Sequence, residues 1–418
     1  MAAAALIFAL TYLGIAFNRV PKVNIDRPTA ALIGATLMVL AGVLTFDEAV
    51  AAVNFDTIAL LLGMMMLVVV LQQAGFFTLL AVKTVSATGS PIKLMAVVIV
   101  ATAVFSAFLV NDVIVLLFTP VIIQACRMNR LNPIPYLIAE AMASNIGSSA
   151  TIIGNPQNVL IGITSEISFG RFFLHLLPVA FVSTLILMGV IWLFYRNQLT
   201  AKDGGSSLQE TATKAIPIDR QKLLRMTPIV IGVIVTFFLH SFLDLRLAVI
   251  ALSAGGVAVV VSGIKPSNII KDVDWVLLLF FAGLFIVVHG AQDAGVLDFF
   301  LDRVSLDANT AGVVSIHGIS TVVSQIVSNV PFTLLVIPLL QDSNSNLLWL
   351  SLASGATLGG NMTLIGAVAN LIVAEVAYRD GVTLKFGEFF KVGAVVTVLT
   401  LIASVGILLL QYELGWLK

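Results

Sequence analysis

The stretch ASNIGSSATIIGNPQN, at residues 143–158, decides the fold of this chain, because it places glycine, amide and hydroxyl side chains inside a long apolar segment. A second stretch of the same kind, GATLGGNMTLIG, occupies residues 355–366. In a lipid bilayer, backbone that leaves helical geometry must be buried in protein or line a watery cavity. Glycines allow a helix to unwind, and Pro156 suits the first turn of a helix that restarts. Each stretch therefore predicts a transmembrane helix that is interrupted along its length.

The composition of the whole chain indicates a membrane protein. Apolar residues make up 59% and charged residues 11% of the sequence, whereas soluble domains have roughly 45–50% and about 25%. The net charge is zero and no basic face is present, which excludes a nucleic-acid partner. The single cysteine, Cys126, excludes a disulfide framework and a thiolate cluster, and no metal or cofactor is predicted. Nucleotide-binding, zinc-protease and serine-hydrolase motifs are absent, so we do not expect an enzyme.

Apolar runs near 20 residues predict an all-α polytopic protein with ten full crossings. We place them at about 2–18, 28–45, 57–74, 135–163, 172–194, 227–243, 247–263, 275–291, 346–376 and 389–410. Two further apolar stretches, 92–126 and 311–341, are interrupted by Val110-Asn111-Asp112 and by Ser328-Asn329-Val330-Pro331. Each of these is a re-entrant hairpin or a pair of crossings, and charge alone does not distinguish the two.

Basic residues predict the orientation of the chain. With both hairpins re-entrant, Arg171, Arg246, Arg303 and Lys418 fall on one side, and the other 18 of the 22 Lys and Arg fall on the opposite side. The positive-inside rule places the larger set in the cytoplasm. We therefore expect a multi-pass protein of a bacterial inner membrane with both termini periplasmic.

An internal repeat organises the crossings. Asp26, Asp56, Asn111 and Pro120 recur at an offset of 218 residues, as Asp244, Asp274, Asn329 and Pro338. Gly147, Thr151, Gly154 and Asn158 recur at an offset of 212, as Gly359, Thr363, Gly366 and Asn370. Because each half has an odd number of crossings, five, the second copy is inverted relative to the first. The predicted parts are a first repeat at 1–195 (hairpin 92–126, broken helix 135–163), a cytoplasmic linker at 196–226, and a second repeat at 227–418 (hairpin 311–341, broken helix 346–376).

Polar side chains at the four interruptions form the predicted substrate site. Inverted repeats of carriers hold their substrate near the middle of the bilayer, between broken helices. Amides and hydroxyls supply both donors and acceptors there. The alternative is that the small residues only allow helices to pack closely. The candidate substrate-binding residues are Asn111, Asn145, Gly147, Ser148, Ser149, Thr151, Asn155, Ser328, Asn329, Thr357, Gly359, Gly360, Asn361 and Thr363.

Two acidic residues are candidates for carrying a proton or a cation. Asp112 lies at the tip of the first hairpin, where its repeat counterpart is the apolar Val330. Glu140 lies about two turns into a predicted crossing. Carboxylates at membrane depth are rare and mark ion pathways, although a paired structural acid is the alternative for both.

These stretches, together with FLVND at 108–112, resemble the ion transporter superfamily, in the branch of the bacterial arsenite permeases and NhaD-type sodium/proton antiporters. The resemblance covers nearly the whole chain. It implies two re-entrant hairpins, two interrupted helices, a homodimer with a moving transport domain, and binding residues near Asn111, Asp112, Asn145, Asn329 and Asn361. It also allows a separate cytoplasmic ATPase subunit. Dicarboxylate members carry Ser-Asn-Thr at the hairpin tips, and both tips here depart from that pattern.

Three kinds of cargo fit this pattern in a secondary active transporter. Proton-coupled efflux of arsenite or antimonite comes first, because a ring of amides and hydroxyls with one carboxylate suits an uncharged trihydroxide. A sodium/proton antiporter comes second, with Asp112 and Glu140 holding the ions in turn. A sodium-coupled importer of dicarboxylate-like anions comes third, with anions at the starts of the half-helices.

Overall fold

The structure is a computed structural model that describes residues 1–17, 26–80, 90–199, 219–296, 307–341, 343 and 345–417. All of the regular secondary structure assigned in these residues is helical. The helices are α1 (Ala2–Phe17), α2 (Arg27–Leu40), α3 (Phe46–Ala52), α4 (Phe55–Gln73), α5 (Pro91–Phe108), α6 (Asn111–Met128), α7 (Ile134–Ser148), α8 (Pro156–Thr164), α9 (Phe169–Leu199), α10 (Arg220–Leu239), α11 (Leu247–Ser262), α12 (Pro266–Asp272), α13 (Trp275–Asp293), α14 (Thr310–Val327), α15 (Asn329–Gln341), α16 (Asn346–Gly359), α17 (Val368–Arg379) and α18 (Phe386–Glu413).

Local sequence signals explain where several of these helices begin. Asp26, Asn54, Ser90, Asp274 and Asn309 each precede a helix, and each side chain accepts a hydrogen bond from the backbone amide three residues later. Such caps satisfy amides that a first helical turn leaves without partners. In α2 and α5 a proline in the first turn adds a suitable backbone angle.

The two halves of the chain have the same order of elements. Helices α1 to α9 correspond one by one to α10 to α18, including the short helices α3 and α12 that follow α2 and α11. Within each half, α1 packs on α2 as α10 packs on α11, and α5 packs on α7 as α14 packs on α16. The predicted fold of two inverted repeats is therefore confirmed. The two short helices were missed because seven residues give too little periodicity to detect.

Helices of the first repeat pack directly on helices of the second repeat. Helix α2 packs on α13, and α4 packs on α11, so each long contact joins one repeat to the other. The contact of α4 with α11 depends on Gly63, where an added Cβ would lie 2.3 Å from the backbone carbonyl of Ala251. Gly255 faces Gly63 from the other helix. Small residues of this kind let transmembrane helices approach closely.

Both hairpins turn on a residue with an unusual backbone angle. Helix α5 joins α6 through Val110 at φ 21°, and α14 joins α15 through Ser328 at φ 73°. These residues are repeat equivalents, and positive φ is uncommon for residues other than glycine. The tips of both hairpins line one cavity. Because the hairpins belong to oppositely oriented repeats, tips that meet in one place must end at membrane depth, as re-entrant segments do.

Both predicted helix interruptions are present. Helix α7 ends at Ser148 and α8 starts at Pro156, and α16 ends at Gly359 and α17 starts at Val368. Eight of the described helices are long and apolar enough to cross a membrane, and α1, α2, α11 and α15 are shorter apolar helices.

Part of the predicted organisation lies outside the described residues. Helix α9 extends to Leu199 and α10 begins at Arg220, so most of the predicted linker at 196–226, namely 200–218, is not described. The same holds for Arg19, Lys22, Lys83, Lys202, Lys214, Arg303 and Lys418. The repeat boundaries and the sidedness of the loops remain predictions.

Replacing Gly63 by alanine tests the contact between the repeats. We expect Gly63→Ala to push α4 and α11 apart and to destabilise the protein by about 1–3 kcal/mol, the usual effect of overpacking. Gly256→Ala is the matched control, because its added Cβ meets nothing within 4 Å. Thermal unfolding in detergent, followed by size-exclusion chromatography, measures both. Equal melting temperatures for the two variants would contradict the role of this contact.

Candidate functional site

A cavity of about 280 Å³ lies where the two hairpin tips approach the interruption of α7 and α8. Its wall includes five of the predicted site residues, Asn111, Asp112, Asn145, Ser328 and Asn329. The starts of α2, α8, α13 and α17 complete the wall. Both repeats therefore contribute to one concave site.

The tip of the first hairpin presents a carboxylate to this cavity. The backbone amide of Asn111 donates to the carbonyl of Gly154, 2.9 Å away, and its side-chain Nδ2 donates to Asn145 Oδ1 at 3.3 Å. Asn111 Oδ1 is buried without a hydrogen-bond partner. Asp112 is half-buried, and no hydrogen bond or ion pair with another described residue engages its carboxylate. The tip is thus held by Asn111 while the neighbouring carboxylate stays available.

The tip of the second hairpin is held by the second interruption. Asn329 is buried, and in the amide orientation that satisfies both its ends, Nδ2 donates to the carbonyls of Ala356 and Gly366 at 3.1 and 3.0 Å. In that orientation its Oδ1 accepts from Gln157 Nε2 at 3.3 Å. Gln157 belongs to the first repeat, so this bond joins the second tip to the start of α8.

Asn145 forms the centre of an amide cluster that joins the repeats. Its Nδ2 donates to Asn361 Oδ1 at 2.8 Å and to Asn370 Oδ1 at 3.0 Å. Its Oδ1 accepts from Asn111. All of these side chains are buried. Buried amides require partners, and in this cluster they find one another across the interface between the repeats.

A second group of contacts crosses the same interface. Asn155 Nδ2 donates to Ser148 Oγ at 3.0 Å and to Thr357 Oγ1 at 3.3 Å. Gln157 Nε2 also lies 3.3 Å from Thr357 Oγ1. Thr357 is the repeat counterpart of Asn145. Each of these two equivalent side chains forms a hydrogen bond with a residue of the opposite repeat.

Two repeat-equivalent asparagines hold the unwound backbone. Asn158 Nδ2 donates to the carbonyls of Ser148 and Thr151 at 3.1 and 3.0 Å. Asn370 Nδ2 donates to the equivalent carbonyls of Gly360 and Thr363, both at 2.9 Å. Each asparagine thereby replaces hydrogen bonds that a continuous helix would make. In the sequence both residues stand out only as markers of the repeat.

Most of the remaining predicted residues shape the interruptions behind the cavity. An added Cβ on Gly147 would strike the backbone of Ala103, and one on Gly359 would strike Thr321, so both glycines permit close packing. Gly360 lies against the side chain of Asn329. The other contacts are Thr151 to the carbonyl of Ala107, Thr363 to Gln325, Ser149 to the carbonyl of Ile146 and Ser148 to the carbonyl of Asn145.

Glu140 is not part of the cavity wall. It is fully buried in α7, and Thr119 Oγ1 of α6 lies 3.1 and 3.0 Å from its two carboxyl oxygens. Both helices belong to the first repeat. The structure therefore separates the two acidic candidates, with Asp112 at the cavity and Glu140 packed against the second arm of the hairpin.

Charged residues that the sequence analysis did not assign to the site lie at the cavity. Asp26, Arg27 and Asp274 line it, and Asp26 and Asp274 are exposed. Hydrogen bonds from the hydroxyl and the amide of Thr29 hold the pKa of Asp26 below its usual range. With Asp112 the wall has three carboxylates and one guanidinium. No group of three metal-ligating side chains that could hold a metal ion occurs within the described residues.

Comparison with known proteins identifies the family. Residues 12–352 match the family model described as "Citrate transporter". This chain is a member of the citrate transporter family. A 46 kDa membrane protein of Mycobacterium leprae is 32% identical over 96% of both chains, and an uncharacterised transporter of Mycobacterium tuberculosis strain H37Rv is 33% identical over 97% of both. The human P protein is 30% identical over 94% of this chain and 58% of its own length.

A solved structure has the same fold as this family member. The crystal structure of the YdaH transporter of Alcanivorax borkumensis, which is described as having an unusual topology, matches 99% of both chains with a TM-score of 0.60 and 15% sequence identity. The family match and the apolar helices together show a multi-pass membrane transporter, and the family expectation from the sequence is confirmed at the level of transport. The arsenite branch is not established by these matches.

The amide cluster can be tested by removing its central side chain. We expect Asn145→Leu to leave buried groups of Asn111, Asn361 and Asn370 without partners, at about 1–3 kcal/mol of unfolding free energy for each unsatisfied group. The melting temperature in detergent measures the loss. Asn346→Ala is a control at the start of α16, where no described hydrogen bond involves the side chain. A melting temperature of Asn145→Leu as high as that of the control would rule out a structural role for the cluster.

Proposed function

We propose that this chain is a proton-coupled secondary transporter that moves a small oxygen-rich solute by alternating access. The observation that carries the proposal is the available carboxylate of Asp112, at the tip of a re-entrant hairpin in a cavity built by both repeats. An acidic side chain at membrane depth is expensive to bury and marks an ion pathway. Asp112 takes up a proton on one side of the membrane and releases it on the other. Glu140 is hydrogen-bonded to Thr119 and does not carry the transported proton.

The charges of the cavity favour a cargo that is neutral or accompanied by a cation. Asp26, Asp112 and Asp274 outnumber Arg27, so a free multivalent anion meets net repulsion. The Oδ1 of Asn111, which has no hydrogen-bond partner, and the carboxylate of Asp112 offer acceptors to hydroxyl groups. Arsenous or antimonous acid, an uncharged trihydroxide near neutral pH, fits these groups and is our first candidate for efflux.

Citrate is the second candidate, because the family to which the chain belongs is described as transporting it. As a free trianion it meets three carboxylates, so we expect it to enter together with a divalent cation that offsets its charge. Exchange of sodium for protons at Asp112 is the third candidate, and it needs no organic or metalloid cargo.

A proton gradient provides enough energy for the first candidate. One charge that crosses 100 mV supplies about 2.3 kcal/mol. At roughly 1.4 kcal/mol per tenfold change, this maintains on the order of a 50-fold gradient of a neutral solute. We further propose a homodimer in a bacterial inner membrane, with both termini periplasmic and with the mouth at Asp26 and Asp274 facing the cytoplasm. A separate ATPase subunit is not required by this energy balance.

A cargo panel in proteoliposomes tests the proposal. With an imposed proton gradient, we expect accumulation of radiolabelled arsenite, and no uptake of free citrate in the presence of a chelator. Uptake of citrate only with added Mg²⁺ identifies the second candidate. Dissipation of the gradient by Na⁺ alone identifies the third. Absence of proton movement with all of these solutes would contradict proton-coupled transport of the proposed class.

Substitution of the two acidic residues tests which carboxylate carries the transported proton. We expect Asp112→Asn to abolish proton-driven accumulation, because the amide cannot exchange a proton, while the protein elutes and melts as the parent does. Glu140→Gln keeps the hydrogen bond with Thr119 and retains most transport. A pH-dye measurement in proteoliposomes reads both variants. Full proton coupling in Asp112→Asn would remove this carboxylate from the mechanism.

A further inference from the structure

An apolar groove of about 360 Å³ lies between α5, the first interruption and α9. Small buried residues form its floor, namely Ala107, Gly147, Ala150 and Ala180. Ala107, Ala150 and Ala180 make an apolar cluster that is separate from the main core. The described residues of the groove wall are distinct from those of the cavity at the hairpin tips. The groove is therefore a second space beside the same interruption.

The rim of the groove is apolar and faces outward. Its residues Val104, Phe181 and Leu185 expose 50%, 61% and 51% of their surface. Both helices that carry them, α5 and α9, are long and apolar enough to cross a membrane. In a membrane transporter such exposed side chains contact lipid, whose tails are as apolar as leucine. The groove thus opens towards the hydrocarbon of the bilayer.

The wall offers no free polar group to a ligand. Among the described residues of the wall, Thr184 is the one with a polar side chain, and its Oγ1 donates to the carbonyl of Ala180 at 2.7 Å. The carbonyl of Ala107 accepts from the hydroxyl of Thr151. A polar solute would lose its hydrogen bonds to water without replacement, whereas apolar cavities take up hydrocarbon. The chemistry of the wall therefore selects a hydrocarbon.

The length of the groove suits one acyl chain. Its wall on α5 runs from Val100 to Phe108, next to the hairpin tip. At 1.5 Å per residue this is about 12 Å, close to the roughly 15 Å that one leaflet of a 30 Å hydrocarbon core provides. Phe108 and Phe173, whose ring centroids are 6.1 Å apart, both line the groove near this tip. A chain that enters from one leaflet can therefore fill it.

Comparison of the repeats shows what the first one lacks. The counterpart of Ala107, at the offset of 218, is Gln325. Gln325 Nε2 donates to the carbonyl of Gly359 at 3.0 Å, and its Oε1 accepts from Thr363 Oγ1 at 2.7 Å. In the first repeat the equivalent hydroxyl, that of Thr151, bonds the backbone of Ala107 instead. The second repeat thus joins its hairpin to its interruption with a side chain that the first repeat does not have.

A second floor position differs in the same direction. The counterpart of Ala150, at the offset of 212, is the larger Met362. We propose that an acyl chain of a phospholipid of the surrounding bilayer occupies the groove and packs on this floor. It takes the place that Gln325 and Met362 fill with protein atoms in the second repeat. This lipid site is separate from the cargo site, and it does not depend on which solute is transported.

Photolabelling in vesicles tests the site. The full chain is reconstituted in phosphatidylethanolamine and phosphatidylglycerol, with phosphatidylethanolamine that carries a diazirine in the middle of one acyl chain. Irradiation releases N₂ and leaves a carbene, which inserts into a C–H bond of the nearest side chain. Mass spectrometry of peptides locates the adducts. We expect adducts on Ala107 and Ala150, which are buried, as well as on the exposed Phe181.

Two variants fill the groove from different sides. Ala150→Met introduces the residue of the second repeat, and Ala180→Leu fills the groove from α9. Displacing two or more methylenes of the chain lowers its affinity by about tenfold or more, so we expect adducts on Ala107 to fall by a similar factor. Gly189→Met is the matched control, since it enlarges an exposed position of α9 where an added Cβ meets nothing within 4 Å. It should keep the adducts on Ala107.

The pattern of adducts decides between occupants. Adducts on the floor of the parent that are lost in the filled variants and kept in Gly189→Met support the acyl chain. Adducts on Phe181 alone would overturn it, as would floor adducts that persist in filled variants that elute as the parent does. Protection of both Phe181 and the floor would show that a second copy of the chain covers the groove. A diazirine on the headgroup should label no floor residue in the parent, and floor adducts from that probe would also overturn the proposal.

Discussion

The structure depends on one constraint, that backbone groups freed from a helix inside lipid must find other hydrogen-bond partners. Asn158 and Asn370 meet this constraint at the two interruptions, since each donates to a pair of carbonyls at or just after the end of the preceding half-helix. Asn145 then joins the interruptions to each other through Asn361 and Asn370. The backbone of each interruption is thus held by an asparagine of its own repeat, and side-chain bonds between the two interruptions stabilise one against the other.

The same constraint determines where chemistry can occur. Amide groups that hold the backbone are occupied, so the groups left for a cargo are those at the hairpin tips and at the cavity wall. Asp112 is one of these, because Asn111 beside it makes the contacts that hold the tip to Gly154 and Asn145. At this tip Asn111 therefore has the structural role, and Asp112 is the residue available to the cargo. The repeat counterpart of Asp112, Val330, is apolar. The carboxylate makes the two halves chemically unequal despite their common plan.

Packing between the repeats provides the frame around this site. The close approach of α4 to α11 at Gly63, and of α2 to α13, joins four helices into a unit that does not contain the hairpins. The hairpins and half-helices contact this unit differently in the two repeats, at α8 on one side and at α15 on the other. Two repeats with the same order of elements but different helix contacts allow a carrier to be open on one side of the membrane at a time.

The sequence by itself determined the helical membrane fold and the order and positions of the interruptions, and five of its candidate site residues line the cavity. The length of an apolar segment, and the glycine and asparagine residues within it, can be recognised in the sequence without any knowledge of tertiary contacts. Tertiary structure alone decided that Asp26 and Asp274 line the same cavity, that Gln157 reaches Asn329, and that Glu140 packs away from Asp112. Those pairings depend on which helices of the two repeats meet, and residues at exposed helix starts have no periodic pattern that would reveal their partners.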